Sequence, residues 1–346
     1  MARRSASLSV LAVPGLVLLL FAKLCGSEKA DPAAVTIDPV RQGKIAQCAS
    51  SAELSESAII VHGAGRNICA DESGLFWVSK IEAAGSQLWG IRHRHPDGHE
   101  TVVIAPRAGE IWQLATDERY VYFSSGKRLL RVSKKGGAPR ALAALKDGLS
   151  SIVQAKGTLF WSENKEIYEM PVEGGRVQKL ATAESWVSRF VVNDSRAFWI
   201  DRGASYELEV MRAGPSGAPD RFIVPDAYFG GVRGVGFDDE HVYWNEGKGF
   251  FRRALAGGVP QALAGHQDSE VPLHVDGAHV YGVYPSWDMK GAHGASIFRF
   301  PKTGGCTEVV ATMRKTPDVA FDENYVYWSD STTGDISAVR KSQRAK

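Results

Sequence analysis

Three histidines fall within seven residues in the segment Arg92-His93-Arg94-His95-Pro96-Asp97-Gly98-His99. His93 and His95 would share one face of a strand and His99 would follow a turn, so their imidazoles could converge on a metal ion. No Cys or second carboxylate is suitably spaced nearby, and the segment is read as a solvent-facing strand with no metal expected. A second set, His266, Glu270 and His274, has residue types suited to the acid–base work of a hydrolase or lyase. Nothing resembles a nucleophile elbow, a phosphate loop or a zinc-protease helix, so catalysis has no motif behind it.

The elements that would position these groups form a repeat. An aromatic pair recurs at Phe76-Trp77, Tyr122-Phe123, Phe160-Trp161, Phe198-Trp199, Tyr243-Trp244, Tyr281-Gly282 and Tyr327-Trp328, with spacings of 46, 38, 38, 45, 38 and 46 between second members. A period near 40 signals a propeller, a solenoid or an array. Six residues before each second member stand Asp71, Asp117, Ala155, Asn193, Asp238, Asp276 and Asp322. Asp and Asn hydrogen-bond the backbone two residues on, so this column marks a tight turn into the aromatic strand. Downstream, Asp97-Gly98, Gly136-Gly137, Gly174-Gly175, Ser216-Gly217, Gly257-Gly258 and Gly304-Gly305 form a second turn column.

Four short strands per unit, apolar on both faces and without a credible helix, describe the blade of a β-propeller. The aromatics then fill the gaps between neighbouring blades. The seventh unit ends one strand short, and Ser57 to Val61 is strand-like and precedes the first unit. The expected fold is all-β: a single propeller of seven four-stranded blades over residues 57–340, its last blade closed by that N-terminal strand, with six blades as the alternative.

Antiparallel strands divide the loops between two faces of such a ring. The Asp turns and Gly-Gly turns share one face, and the second-to-third strand loops and inter-blade connections share the other. The turn face is uniform, whereas extra residues at Ser79 to Ser86, Asp201 to Tyr206 and Tyr284 to Ser296 all fall on the connection face. Variable loops on a rigid scaffold are where binding groups are usually mounted. The ligand-binding candidates are therefore Tyr284, Trp287 and Asp288 on the longest loop, Tyr228, Phe229 and Arg233 on one connection, and Trp186 and Arg189 on another.

At the N-terminus, Arg3 and Arg4 precede an apolar run from Leu8 to Ala22, which reads as a secretory signal over residues 1–26. Cys25 is a candidate lipidation site, although Ala22-Lys23-Leu24 makes a poor lipobox; membrane contact is expected only if Cys25 carries lipid. Residues 27–56 read as a linker or arm and 341–346 as a basic tail. Export permits disulfides among Cys48, Cys69 and Cys306, with connectivity left open. Charge is 41 minus 39, or +2, and loss of Arg3, Arg4 and Lys23 with the signal leaves −1. No nucleic-acid partner is implied.

Tyr327-Trp328-Ser329-Asp330 resembles the Tyr-Trp-Thr-Asp signature of the propellers in low-density-lipoprotein receptors, with looser forms at Phe160-Trp161-Ser162-Glu163, Phe198-Trp199-Ile200-Asp201 and Tyr243-Trp244-Asn245-Glu246. Over about residues 57 to 340 the chain is also similar to exported bacterial propellers of myxobacterial type and unassigned function. What the resemblance implies is blade packing, with no catalytic residue and no cofactor. The receptor propellers have six blades where this chain shows seven anchors, so their ligands are not carried over. The expectation is an exported, periplasmic, outer-membrane-associated or extracellular monomer that binds a protein, peptide or glycan. A channel-mouth hydrolase or lyase and a structural envelope protein are the alternatives.

Overall fold

Each Asp turn forms because its carboxylate satisfies backbone N–H groups that the reversal would otherwise leave unpaired. Asp117 Oδ1 accepts from Arg119 N and Tyr120 N, both at 2.7 Å, and Asp238, Asp276 and Asp322 repeat the arrangement. The second oxygen accepts the phenol of the aromatic pair's first residue. Tyr122, Tyr243 and Tyr327 donate to Asp117, Asp238 and Asp322 at 2.5, 2.8 and 2.6 Å. In the Gly-Gly column both residues take positive φ, 87° and 115° at Gly136 and Gly137, which only glycine adopts cheaply. There the first glycine's N–H closes the turn, as Gly136 N does on Ser133 O at 2.8 Å.

The computed structural model describes residues 57–63, 65–193, 196–202, 208–214, 218–223, 231–246, 249–265, 273–287, 293–313 and 318–341. They form seven four-stranded antiparallel sheets, the blades of a seven-bladed β-propeller. Blade 1 comprises Gly65–Asp71, Gly74–Ala83, Ser86–Arg94 and Glu100–Arg107. The inner strands of blades 2 to 6 are Trp112–Thr116, Ser151–Ala155, Phe190–Asn193, Val232–Phe237 and His274–Val275. Blade 7 has Val319–Phe321, Tyr325–Ser329 and Ile336–Arg340, and the N-terminal strand Ala58–Val61 completes it. Ala58 pairs with Ala338 and Val61 with Ile336, which closes the ring as the sequence predicts.

Seven apolar clusters fill the seven gaps between blades. The aromatic pair divides between two of them because alternate side chains leave a strand on opposite faces. Phe160 joins the cluster shared with blade 4 and Trp161 the one shared with blade 2. Where Gly282 replaces the second aromatic, its cross-strand partner Phe298 restores the bulk beside Phe250 and Phe300.

Cations lace the seams on the turn face. Lys134 of blade 2 reaches Asp71 of blade 1 at 2.6 Å, Lys302 of blade 6 reaches Asp238 of blade 5 at 2.6 Å, and Lys341 of blade 7 reaches Asp276 of blade 6 at 3.5 Å. Burial opposes ionisation of Asp238, but the Lys302 ammonium and the backbone donors outweigh it and hold the carboxyl well below the usual carboxylate range. Lys341, at the head of the basic tail, is itself buried beside His274, Tyr281 and Phe321.

Two expectations change in the structure. The extra residues at Ser79 to Ser86 form no open loop: the hairpin stays paired through Lys80↔Trp89 and Ile81↔Leu88 to Ala83↔Ser86, and His279–Trp287 with His293–Pro301 behaves alike. His93 is buried and does not face solvent. Its ring stacks on Phe76 at 4.0 Å, and His95 and His99 continue the column at 3.8 and 3.9 Å. A neutral imidazole is a flat aromatic and packs as one. Ring nitrogens go to protein atoms: His93 Nε2 to Ser73 O at 2.7 Å, His95 Nε2 to Thr101 Oγ1 at 3.1 Å, and His99 Nδ1 to Asp97 Oδ1 at 2.7 Å.

Candidate functional site at the channel mouth

Every inner strand runs from the connection face to the turn face, so the first residues of the inner strands encircle one mouth of the central channel. A cavity of about 360 Å³ lies there. Its polar lining includes Asn67, Gln113, Ser150, Ser151, Ser188, Arg189 and Asp318, with His274 and Tyr281 beside them, and Ile68, Leu114, Val319 and Phe321 lie one or more residues further along the same strands. The exposed lining of this cavity is more polar than apolar, with hydrogen-bonding side chains from several blades converging on it.

Backbone irregularity aims two of these side chains. Asn67 and Gln113 both have φ of 47°, in the left-handed region that non-glycine residues seldom occupy. Pairing slips between Arg66 and Cys69 and between Trp112 and Leu114, so each residue sits in a β-bulge at the head of its strand. Blade 5 slips likewise between Val232 and Gly234, around Arg233. Asn67 N donates to Asp318 Oδ2 at 3.0 Å across the seam that closes the ring, while its side-chain nitrogen is buried without a protein partner.

Beside the bulge, the Arg66 guanidinium lies 3.8 Å from the Trp89 ring centroid and 4.4 Å from that of Trp112. Burial lowers its pKa, and Glu110 and Asp318 oppose that effect. Trp112 is 41% exposed and donates its indole N–H to Glu110 Oε2 at 3.0 Å.

Among the residues singled out from sequence, Trp186, Arg189 and Arg233 come together. They line a groove of about 250 Å³ that shares Ser188, Arg189 and Phe190 with the cavity. Trp186 is 66% exposed and donates its indole N–H to Ser150 Oγ at 2.9 Å. Tyr284 instead packs half-buried against the aromatic cluster between blades 5 and 6. Trp287 pairs through its backbone with His293, and its side chain lies outside the description. Tyr228, Phe229, Asp288, His266, Glu270, Cys25 and Cys48 lie outside the described residues. His274 borders the cavity, but burial pushes its pKa down to about 3, with the neighbouring Lys341 acting in the same direction. It stacks on Phe321 at 4.0 Å as part of the seam. Cys306 is disulfide-bonded, and Cys69 is a free thiol whose pKa burial raises.

The same face is held from below by a column that sequence reading left without a role. Two residues after the anchor tryptophan come Glu163, Asp201 and Glu246, all buried. Glu163 accepts Lys146 N and Asp147 N at 2.7 and 2.9 Å and Trp161 Nε1 at 3.0 Å. Asp201 accepts Glu184 N and Ser185 N at 2.7 and 2.9 Å and Trp199 Nε1 at 3.2 Å, fixing the connection that carries Trp186. The repeated Trp-x-acid spacing was the signal for it.

No protein-family model matches the chain, and no curated protein matches it. Solved structures do. A chain of the mitotic checkpoint complex superposes with a TM-score of 0.61 at 8% identity, covering 87% of this chain and 98% of that one. The Pan2 WD40 domain of Neurospora crassa gives 0.59 at 8% identity over 85% and 99%, and BamB from Moraxella catarrhalis gives 0.52 at 10% identity over 86% and 99%. These likenesses concern the fold alone. At such identities no ligand transfers, and function has to be argued from the mouth itself.

Proposed function

We propose that the chain is a non-catalytic binding module that takes its ligand or partner at the channel mouth on the connection face. The observation that carries this is the mouth's polar lining: side chains from blades 1, 2 and 7 and from the connections into blades 3 and 4 meet at one cavity, two of them placed by left-handed bulges. Backbone strain of this kind costs on the order of 1–3 kcal/mol per residue and persists where the surroundings enforce it, so its use to aim polar groups at a cavity argues for binding. The charged segment at Arg3 and Arg4 with the following apolar run supports export, with the ligand met in the envelope or outside the cell.

The test is a displayed peptide library together with an immobilised glycan array, probed with the wild-type chain, with Arg189→Ala, and with Asp97→Ala on the turn face. Ligands lost on Arg189→Ala and retained by Asp97→Ala are expected. Ligands insensitive to Arg189→Ala, or none from either collection, would overturn the reading.

A further inference from the structure

Two indoles, Trp112 and Trp186, are exposed near the cavity without lining it: Trp112 precedes Gln113 of the lining, and Trp186 bonds Ser150 of it and lines the adjoining groove. Each has already committed its only hydrogen-bond donor, to Glu110 and to Ser150. What they offer a ligand is a flat apolar face. The cavity lining supplies two amides, three serine hydroxyls, a phenol, an imidazole, one cation and one anion. We propose that the mouth is a carbohydrate site that takes a neutral oligosaccharide, a reading that rests on the mouth being the binding face.

The chemistry matches in three respects. A pyranose ring has C–H faces that stack on an indole and hydroxyls around its edge, so one ring can lie on Trp186 while its hydroxyls reach into the cavity. Each sugar hydroxyl both donates and accepts, as do the amides of Asn67 and Gln113 and the three serine hydroxyls. The buried Asn67 side-chain nitrogen, which has no protein partner, needs an acceptor, and a hydroxyl oxygen is one. Charge excludes the other stacking ligands. The lining holds one arginine, Arg189, and one carboxylate, Asp318, and the nearby Arg66 stands between two indoles, so the mouth lacks the run of cations a nucleic-acid backbone requires.

The experiment is isothermal titration of the purified chain with cellohexaose, chitohexaose, maltohexaose and xylohexaose, with tryptophan fluorescence followed in parallel. At least one should bind and perturb the emission. Trp186→Ala should weaken it roughly ten-fold or more, about 1.4 kcal/mol of stacking. Gln113→Ala should weaken it as well. Because Trp186 is exposed, an unchanged melting temperature will show that the variant is folded. The proposal is overturned if none of the four binds, or if the one that binds is held equally by Trp186→Ala. In either event a library peptide lost on Arg189→Ala would leave the mouth as a binding face for protein, and its absence would remove both readings.

Discussion

Both faces of this ring are tied down by carboxylates, and the two ways of doing so explain why they look so different. On the turn face the acid sits in the turn it stabilises: Asp117, Asp238, Asp276 and Asp322 accept N–H groups two and three residues on, and lysines of the next blade reach three members of the same column. Where the column holds Asp, the carboxylate is engaged within its own turn, and those turns are short and alike. On the connection face the acid sits below, at the end of the second strand. Glu163 and Asp201 hold only the root of the connection, and the residues at its crest make few commitments to the scaffold. A surface fixed at its root and free at its crest can change its chemistry without loss of stability, which suits it for binding.

The largest effect should come from the aromatic layer beneath both faces. Trp161 is fully buried, and its indole N–H supports Glu163. Trp161→Ala should cost about 3 to 5 kcal/mol in chemical denaturation, as buried aromatic truncations do; a near-neutral result would separate blade packing from the hold on the connections. The pH dependence comes next, with His93 on the turn face as one source. Burial pushes His93 from 6.5 down to about 4, with the Ser73 carbonyl opposing. Since the folded value is the lower one, the unfolded chain takes up the proton first. Stability is therefore full above pH 6.5 and lost as pH falls toward 4, by on the order of 3 kcal/mol. Asp71, Asp238 and Asp276 are likewise held below the usual range, so their share is lost at still lower pH. His274, pushed down to about 3 by burial, costs stability over the same range, so melting temperature followed from pH 7 to 4 should fall and His93→Gln should remove part of that fall; an equal fall in the variant would place the proton elsewhere.

Asp238 gives the third effect in size. It receives two backbone N–H groups, the Tyr243 phenol and Lys302 of the neighbouring blade. Asp238→Ala orphans a buried phenol and opens a seam, at about 2 to 3 kcal/mol. Tyr243→Phe should recover little of it while Lys302 remains unpaired.

The scaffold was legible because its determinants are local and repeated. Asp stands before Tyr122, Tyr243, Tyr281 and Tyr327, whereas Ala155 and Asn193 stand before Phe160 and Phe198, which have no hydroxyl to bond; Asp71 before Phe76 is the exception, its carboxylate taking Ser73 and Lys134 instead. That covariation lies within a few residues and recurs around the ring. The closing strand could be foreseen because the last blade was one strand short. The mouth was legible only in part. Trp186, Arg189 and Arg233 could be chosen for lying on the connection face, but length variation also pointed to Tyr284, whose hairpin remains paired strand against a core cluster. Asn67 and Gln113 could not be chosen, since residue type does not announce a left-handed bulge. Trp112 and the Arg66 stack depend on contacts between blades far apart in sequence. His93 was misjudged because a run of alternating Arg and His looks solvated until the neutral ring is seen stacked on Phe76.

The smallest expected effect is the most discriminating. Trp186 is 66% exposed, and the hydrogen bond it makes is to Ser150 Oγ, a hydroxyl at the cavity rim that water can satisfy equally well. Trp186→Ala and Arg189→Ala should each stay within about 0.5 kcal/mol of wild type in urea denaturation, as exposed positions do. A cost approaching that of Asp238→Ala would mean that the crest of the connection supports the ring as the turns do. The contrast between the faces would then collapse, because a tryptophan that stabilises the fold needs no ligand to explain its presence on the surface.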